Sequence, residues 1–240
     1  MGRLAVVGGH GILGTAFAAD ASRVEIDTPY GHVALLDATD WVVVQRHGLD
    51  EFVSAPYINH RAHLRALADL GCDHVLGLAS VGSLRRDLPV GTFVAPDDFI
   101  ALHLGISFSR GDDGHQSPGF DPAWRRTVAE RWAERSDVAL RDGGVYWQTI
   151  GPRFETRAEI RFIAGYADLV GMTIASECVL ARELGLAYAS ICVVDNLANG
   201  IGAIPLTMDE FRAGAAANRT RLVGALDAVL PALRKETGSS

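Results

Sequence analysis

Short runs of apolar residues alternate along the chain with longer segments in which apolar residues recur every three or four positions. A short run bounded by Gly, Asp or Asn is typical of a buried strand, and the longer spacing is typical of a helix that packs on a sheet. The predicted strands are residues 3–8, 33–37, 41–48, 92–100, 168–172 and 187–195. Residues 74–84 are predicted as a buried strand that runs into a small-residue loop, and residues 144–166 as a strand, a loop and then a helix. Residues 105–121 are rich in Gly, Ser and Asp, which predicts a loop.

The predicted helices are residues 58–71, 121–136, 176–185 and 207–236. Gly71 is a typical C-terminal stop, Asp121 and Pro122 are a typical cap and first residue, and Thr207 is followed three positions later by Glu210. Because strands alternate with helices, the pattern predicts one α/β domain with a largely parallel sheet. The last residues, 237–240, are predicted to be a frayed tail.

Composition narrows the partners and the compartment. The chain has 240 residues, a net charge of −7 and a pI near 5.6, and this negative balance argues against a nucleic-acid partner. The apolar runs are far shorter than the roughly 18 residues that span a bilayer, and the N-terminus lacks a signal-peptide pattern. Three cysteines, Cys72, Cys178 and Cys192, lack C-x-x-C spacing and are expected to be buried thiols. We therefore expect a cytoplasmic protein without a membrane partner.

Polar or glycine-rich residues follow five of the apolar runs. In open α/β sheets, ligands bind beyond the carboxyl ends of the strands, so these residues are candidates for a site. The candidates are Gly8–Gly11, Arg46–Gly48, Ala79–Ser83, Gly171–Thr173 and Asp195–Asn199.

Two of these segments indicate an anion. Arg46 and His47 suit phosphate oxygens, and the alternative is an ion pair of Arg46 with Asp50 or Glu51. Glycines 9, 11 and 14 have dinucleotide-binding spacing, but no acidic residue closes a following strand, so an anion cradled by backbone N–H groups is the better interpretation. Ser80 and Ser83 could donate hydroxyl or backbone hydrogens, or form a tight turn. No triad order or H-E-x-x-H motif is present.

Five segments together resemble the trimeric purine nucleoside phosphorylases, and more closely their methylthioadenosine and methylthioinosine branch. They are GGHG near the start, RHG (46–48), VGSL (81–84), GPRFETRAE (151–159), and VGMT (170–173) followed by Glu177. The resemblance implies a single domain over residues 1–236 with a mixed, partly barrel-like sheet flanked by helices. It also implies a homotrimer that cleaves a purine nucleoside with inorganic phosphate as co-substrate, without a metal or organic cofactor.

The resemblance implies a role for each of nine residues. Those matching phosphate ligands are His10, Arg46, His47, Ser80 and Thr173. Those matching nucleoside ligands are Met172 beneath the ribose, Phe154 against the purine, and Glu155 and Asn196 at the base edge. Asn196 is also the expected catalytic residue, because it faces the departing base, and no protein nucleophile is expected.

Asn196 and Glu155 together favour a 6-oxopurine. Members of the family that prefer 6-aminopurines have aspartates where this chain has Asn196 and Ala198. A carboxamide can donate to O6 or N7 of a 6-oxopurine, and the Glu155 carboxylate can accept from its N1–H. The expected substrates are inosine, guanosine or 5′-methylthioinosine, and the expected sugar product is a ribose 1-phosphate.

Departures from the family pattern keep alternatives open. His10 stands where Ser or Thr is usual, and Glu51 replaces a histidine, so one phosphate contact and the 5′ substituent are undecided. The alternatives are a methylthioadenosine phosphorylase, a phosphate-independent nucleosidase and a non-catalytic purine-binding protein. His60 and His63, on the helix 58–71, are expected to be solvated or structural.

Overall fold

A computed structural model describes residues 2–12, 15–203 and 205–237, in which eleven strands form one sheet. The strands are β1 (Arg3–Gly8), β2 (Ser22–Thr28), β3 (Gly31–Asp37), β4 (Trp41–Gln45), β5 (Cys72–Ser83), β6 (Phe93–Ala95), β7 (Asp98–Ile100), β8 (Leu140–Asp142), β9 (Val145–Gln148), β10 (Leu169–Gly171) and β11 (Ala187–Leu197). The α-helices are α1 (His60–Asp69), α2 (Pro122–Arg135), α3 (Arg157–Ile163), α4 (Ile174–Glu183) and α5 (Met208–Thr237). Short 3₁₀ turns cover Ala55–Tyr57 and Asp112–Gly114.

Strand β5 is the branch point of the sheet. It pairs in parallel with β1 and with β11, and its last residues pair antiparallel with β10. The path β2-β3-β4-β1-β5-β10-β9-β7 forms one arm, and β11, β6 and β8 form the other. The hairpin β2–β3 and the pairs β3–β4 and β6–β11 are also antiparallel. The sheet is therefore mixed, as the resemblance implies, and six of its ten strand pairs are parallel, which agrees with the prediction of a largely parallel sheet.

Helices cover the sheet on both faces. In β1, Ala5 and Val7 enter one hydrophobic cluster and Leu4 and Val6 enter another, because successive side chains of a strand point to opposite faces. Helices α1 and α4 contribute to the first cluster, and α2 and α5 contribute to the second. Both clusters leave the ends of the central strands uncovered, and the candidate residues lie there.

Most predicted elements are confirmed, three strand predictions are corrected, and two further strands were not predicted. Residues 92–100 form two strands, β6 and β7, separated at Pro96, which cannot donate to a ladder. Strand β5 continues through Ser83 where a loop was expected, and β11 continues past Asp195 to Leu197. Strands β2 and β8 were not predicted, since neither contains a continuous apolar run.

The terminal helix begins as predicted. Thr207 Oγ accepts a hydrogen bond from the backbone N–H of Glu210 at 3.2 Å, which satisfies one of the free donors of the first turn. Thr237, expected in the frayed tail, is the last helical residue and is 1% exposed, while residues 238–240 lie outside the described part of the chain. None of the helices described here combines the length and apolarity that crossing a bilayer requires.

Candidate active site

One cavity of about 300 Å³ collects the residues that the sequence singles out. It is lined by all nine predicted site residues: His10, Arg46, His47, Ser80, Phe154, Glu155, Met172, Thr173 and Asn196. They come from the loops after β1, β4, β9 and β10 and from the middle or end of β5 and β11. All five strand-end segments named in the sequence analysis contribute residues to this cavity. The role of each residue stays a prediction. Gly14 of the glycine-rich start lies outside the described residues.

Arg46 is buried and almost saturated with protein acceptors. Its Nη2 donates to Glu177 Oε2 at 2.9 Å and to Val7 O at 3.1 Å, its Nη1 donates to Leu78 O at 2.8 Å, and its Nε donates to Glu177 Oε1. Since a guanidinium has five N–H hydrogens, a single Nη1 hydrogen is left for a ligand. A side chain at Gly9 would begin 2.9 Å from Nη1, so the absence of one keeps this donor accessible from the glycine loop.

Glu177 is the ion-pair partner of Arg46, and neither of the two carboxylates proposed from the sequence is. Asp50 instead pairs with Arg23 at 2.6 Å on the surface. Glu177 is fully buried and also accepts from Tyr188 Oη at 2.6 Å. Burial opposes the charge on Arg46, but the adjacent carboxylate outweighs it and raises the pKa of Arg46. Arg46 is thus a fixed cation whose charge is largely balanced before any ligand binds.

His47 is a neutral acceptor. Its Nδ1 lies 2.8 Å from Val53 O, and because a carbonyl can only accept, Nδ1 carries the hydrogen and Nε2 carries the lone pair. Burial lowers the pKa of His47 to about 4, against the opposing effect of this hydrogen bond. The Nε2 atom would lie 3.4 Å from a side chain at Gly9, so it faces the same loop as Arg46 Nη1.

His10 stands at the centre of an aromatic cluster that sequence reasoning missed. Its ring centroid lies 4.7 Å from that of His47, 5.3 Å from Phe52 and 5.1 Å from Phe211. Burial lowers the pKa of His10, and so do nearby arginines, of which Arg46 has the largest effect. His10 is therefore a neutral imidazole within an apolar wall. Phe211 belongs to the last helix, where its apolar side chain gave no signal of a site.

Two hydroxyl residues complete this end of the cavity. Thr173 is the N-cap of α4, yet its side chain makes no capping hydrogen bond. The residue lines the cavity instead. Its backbone N–H donates to Tyr146 Oη at 3.1 Å, which fixes its position. Ser80 lies within β5, opposite Val193 of β11, so the tight turn considered for this stretch is wrong.

The residues predicted to contact the base edge, Glu155 and Asn196, also line the cavity. Glu155 is 8% exposed, and its Oε1 accepts from Thr149 Oγ at 2.7 Å. The backbone carbonyl of Glu155 accepts from Asn199 Nδ2 at 3.2 Å. Asn196 is also 8% exposed, and its Nδ2 donates one hydrogen to Leu197 O at 3.1 Å. The second Nδ2 hydrogen and the amide oxygen are thus available to a ligand.

A β-bulge directs Asn196 into the cavity. Val194 pairs with Val81 and Asn196 pairs with Gly82, so Asp195 is an extra residue between them. Asn218 of α5 binds this extra residue, donating from Nδ2 to Asp195 Oδ1 at 2.8 Å and to Val194 O at 3.1 Å.

Close contact with α5 keeps the bulge in place. A side chain at Gly214 would begin 1.7 Å from the carbonyl oxygen of Asp195, so only glycine allows this approach. Burial raises the pKa of Asp195, while the hydrogen bond from Asn218 opposes that effect. The buried strand therefore ends in polar residues for two reasons, because one polar residue anchors the helix and the next faces the cavity.

His60 and His63 are structural, which is one of the two expected alternatives, and they are not solvated. His60 is 5% exposed, and the Nδ1 atoms of both residues are buried without a hydrogen-bond partner among the described residues. Burial lowers the pKa of His60 to about 3 and that of His63 to about 4. His60 Nδ1 lies 3.6 Å from Glu177 Oε1, which places this helix directly behind the Arg46 ion pair.

Sequence relatives are found over most of the chain. A protein of Archaeoglobus fulgidus named "Probable 6-oxopurine nucleoside phosphorylase" is 40% identical over 202 residues, covering 82% of this chain and 83% of the relative. A protein of Methanocaldococcus jannaschii named "Probable S-methyl-5'-thioinosine phosphorylase" is 36% identical over 214 residues, covering 86% and 83%.

A solved structure supports the fold. Methylthioadenosine phosphorylase from Schistosoma mansoni, in complex with adenine, has a TM-score of 0.79 at 23% identity and covers 99% of this chain and 98% of its own. The model of the family described as "Phosphorylase superfamily" matches residues 3–231. These matches span the sheet and every segment that lines the cavity, and the chain belongs to the phosphorylase superfamily.

Proposed function

We propose that the protein catalyses reversible phosphorolysis of a purine nucleoside with a 6-oxopurine base, giving free purine and a ribose 1-phosphate. One observation carries the proposal: a single cavity is lined by a carboxylate and a carboxamide, Glu155 and Asn196, which we call its base end, and by Arg46, His47 and Thr173, which we call its phosphate end. The first set suits a heterocycle edge and the second suits an oxyanion. The names of the two sequence relatives support this substrate class.

The base end favours hypoxanthine or guanine over adenine. A 6-oxopurine presents N1–H as a donor and O6 and N7 as acceptors, so it complements a carboxylate and a carboxamide N–H. Adenine presents an unprotonated N1. The lone pair of this atom would face a lone pair of the Glu155 carboxylate, and the two acceptors would repel each other. An unpaired buried polar group costs about 1–3 kcal/mol, which corresponds to roughly 10- to 100-fold discrimination.

The phosphate end provides hydrogen-bond geometry with little net charge. Arg46 offers one free N–H and is balanced by Glu177, while His10 and His47 are neutral. Since His47 Nε2 is an acceptor, we propose that monohydrogen phosphate donates its hydrogen to this atom and accepts from Arg46 and Thr173. Phosphate is the only co-substrate in this scheme, and no metal or organic cofactor takes part.

Catalysis then rests on position and electrostatics. Phosphate approaches the anomeric carbon from one side as the glycosidic bond lengthens and the sugar gains oxocarbenium character. The remaining Asn196 Nδ2 hydrogen stabilises the negative charge that develops on the departing purine. The two electrons of the broken C–N bond leave with the base, a phosphate oxygen supplies the electron pair of the new C–O bond, and the purine anion takes a proton from solvent to become the free base.

The apolar part of the cavity wall favours an apolar substituent at the 5′ position of the nucleoside. Phe52, Leu206, Met208 and Phe211 line the cavity beside the neutral ring of His10. A hydroxyl group placed there would lose hydrogen bonds to water without a comparable replacement, whereas a methylthio group would bury apolar surface. We therefore favour 5′-methylthioinosine over inosine, and methylthioadenosine phosphorolysis is the alternative if Asn196 tolerates an amino group.

We also propose a homotrimer assembled through an apolar face next to the cavity. Leu102, Ile150 and Phe162 are 70%, 61% and 61% exposed, and they line one groove together with Glu155. Tyr166 is 62% exposed, and its ring centroid lies 5.6 Å from that of Phe162. Monomeric proteins rarely expose a contiguous apolar area of this kind. The three free, buried cysteines support a reducing compartment such as the cytoplasm.

The decisive experiment is incubation of the protein with inosine, 5′-methylthioinosine and 5′-methylthioadenosine, with and without phosphate, while free base is measured by chromatography. We expect release only with phosphate and fastest from 5′-methylthioinosine. Release without phosphate would identify a nucleosidase, and binding without release would identify a purine-binding protein. Preferred release of adenine would overturn the assignment of base.

A further inference from the structure

Thr149 is tied to the carboxylate that faces the purine. Its hydroxyl donates to Glu155 Oε1 at 2.7 Å, whereas the other acceptor within reach, Gly171 O, lies 3.4 Å away. A hydroxyl has one hydrogen, so the shorter contact takes it. None of the described residues donates to Glu155 Oε2, which leaves this oxygen for a ligand in the cavity.

Thr149 continues the β9–β10 ladder, whereas Glu155 lies in a loop. The Thr149 N–H donates to Gly171 O at 2.8 Å, which extends the β9–β10 ladder by one residue beyond the pair Gln148–Gly171. Glu155 lies in a loop that starts at the exposed Ile150 and ends at Thr156, the cap of α3. The loop is held to the sheet through the Thr149 hydroxyl and through Asn199, which binds only the backbone of Glu155.

We propose that Thr149 is a positioning residue that sets the base preference of this site. By occupying Oε1, its hydroxyl turns Oε2 toward the purine edge, where it accepts from N1–H of a 6-oxopurine and repels the N1 lone pair of a 6-aminopurine. Asn199 fixes where the Glu155 backbone lies, and Thr149 fixes how its carboxylate is rotated. The inference rests on the proposed phosphorolysis and adds a residue that does not itself touch the substrate.

The test compares Thr149→Val, which removes the hydroxyl at nearly constant volume, with Thr149→Ser, which keeps it. The substrates are 5′-methylthioinosine and 5′-methylthioadenosine, which differ only at purine position 6. In T149V we expect kcat/KM for the 6-oxopurine nucleoside to fall about 10-fold through a higher nucleoside KM, since a hydrogen bond to a charged group is lost. The KM for phosphate should not change, the preference for the 6-oxopurine should narrow by the same factor, and T149S should restore both.

Thr28→Val is the matched control. Thr28 Oγ donates to Gly31 O at 2.8 Å in the β2–β3 hairpin, outside the cavity lining, so its loss should leave both substrates unaffected. Calorimetric binding of hypoxanthine to T149V gives a second reading that does not depend on turnover, and we expect about 10-fold weaker binding. If T149V is poorly folded, Thr149→Ala and T149S provide the same comparison.

The outcomes separate the two proposals. Unchanged base preference in T149V, or T149S behaving like T149V, would overturn the positioning role. Equal loss on both nucleosides with a raised phosphate KM would also overturn it, because that pattern indicates general damage. Failure of the proposed function would appear earlier, as wild-type protein that releases no hypoxanthine with phosphate.

Discussion

The two ends of the cavity are held in place by different means. At the phosphate end, Arg46 and Glu177 are both buried, and each makes several hydrogen bonds to other elements of the fold. At the base end, Glu155 is held by one bond to its side chain and one to its backbone. The first end is part of the core, so changes there should cost stability. The second end rests on single contacts, so changes there should alter selectivity and spare the fold.

Lowering the pH should have the largest effect on stability, and that effect should come from the phosphate end. His47, His60 and His63 lie at or behind the phosphate end, and burial lowers their pKa values to about 4, 3 and 4. Because these values lie below those of the unfolded chain, the unfolded state binds more protons as pH falls below about 6.5. Stability should be fully present above pH 6.5 and lost toward pH 4, by on the order of 5–10 kcal/mol in total.

Urea unfolding at a series of pH values measures this loss. His63→Asn should flatten the pH dependence without affecting base preference. A free energy of unfolding that stays constant between pH 7 and pH 4.5 would contradict the burial of neutral histidines.

Glu177→Gln should have the next largest effect. The substitution leaves the Arg46 charge buried and uncompensated, which costs about 3–5 kcal/mol. Chemical denaturation should show the loss directly, and phosphate KM should rise more than nucleoside KM. Asp50→Asn breaks the exposed pair with Arg23 and serves as the control, with no measurable change expected. If Glu177→Gln and Asp50→Asn had equal free energies of unfolding, the claim that the phosphate end is part of the stabilising core would be refuted.

Asn196→Asp should change selectivity and leave stability almost unchanged. A carboxylate accepts from the exocyclic amino group of adenine and no longer donates to O6 or N7, so preference should move toward 6-aminopurines by about 10- to 100-fold. The ratio of kcat/KM for 5′-methylthioinosine and 5′-methylthioadenosine is the measurement. A ratio equal to that of wild type would remove Asn196 from base recognition.

Phe211→Ala should have the smallest effect and tests the apolar part of the cavity wall. Removing the ring opens the apolar surface beside His10, so preference for a 5′-methylthio group over a 5′-hydroxyl should fall about 10-fold. Relative kcat/KM values for 5′-methylthioinosine and inosine report it. Val90→Ala, a truncation of an exposed side chain outside this cavity, is the comparison, and a similar shift there would contradict the assignment.

Strand ends followed by polar residues were sufficient to predict that five segments meet, since such ends converge in this class of sheet, whereas Phe154 and Glu155 were named only through the family resemblance. Local motifs were insufficient to predict partners that are distant in sequence, such as Glu177 for Arg46 or Thr149 for the orientation of Glu155. Phe211 was missed because an apolar residue on a helix is usually a core residue. For His60 a signal existed, because it lies four residues before Leu64 on the buried face of α1.

The contact of α5 with the Asp195 bulge has a consequence for synthesis of the protein. Residues 208–218 supply part of the apolar wall and the clamp on the strand that carries Asn196, although they follow every strand of the sheet in the chain. The same helix also covers one face of the sheet, so the cavity and that part of the core are completed together, by the last segment of the chain to be synthesised. A premature stop codon before residue 208 should therefore abolish both the cavity and the stability of the fold.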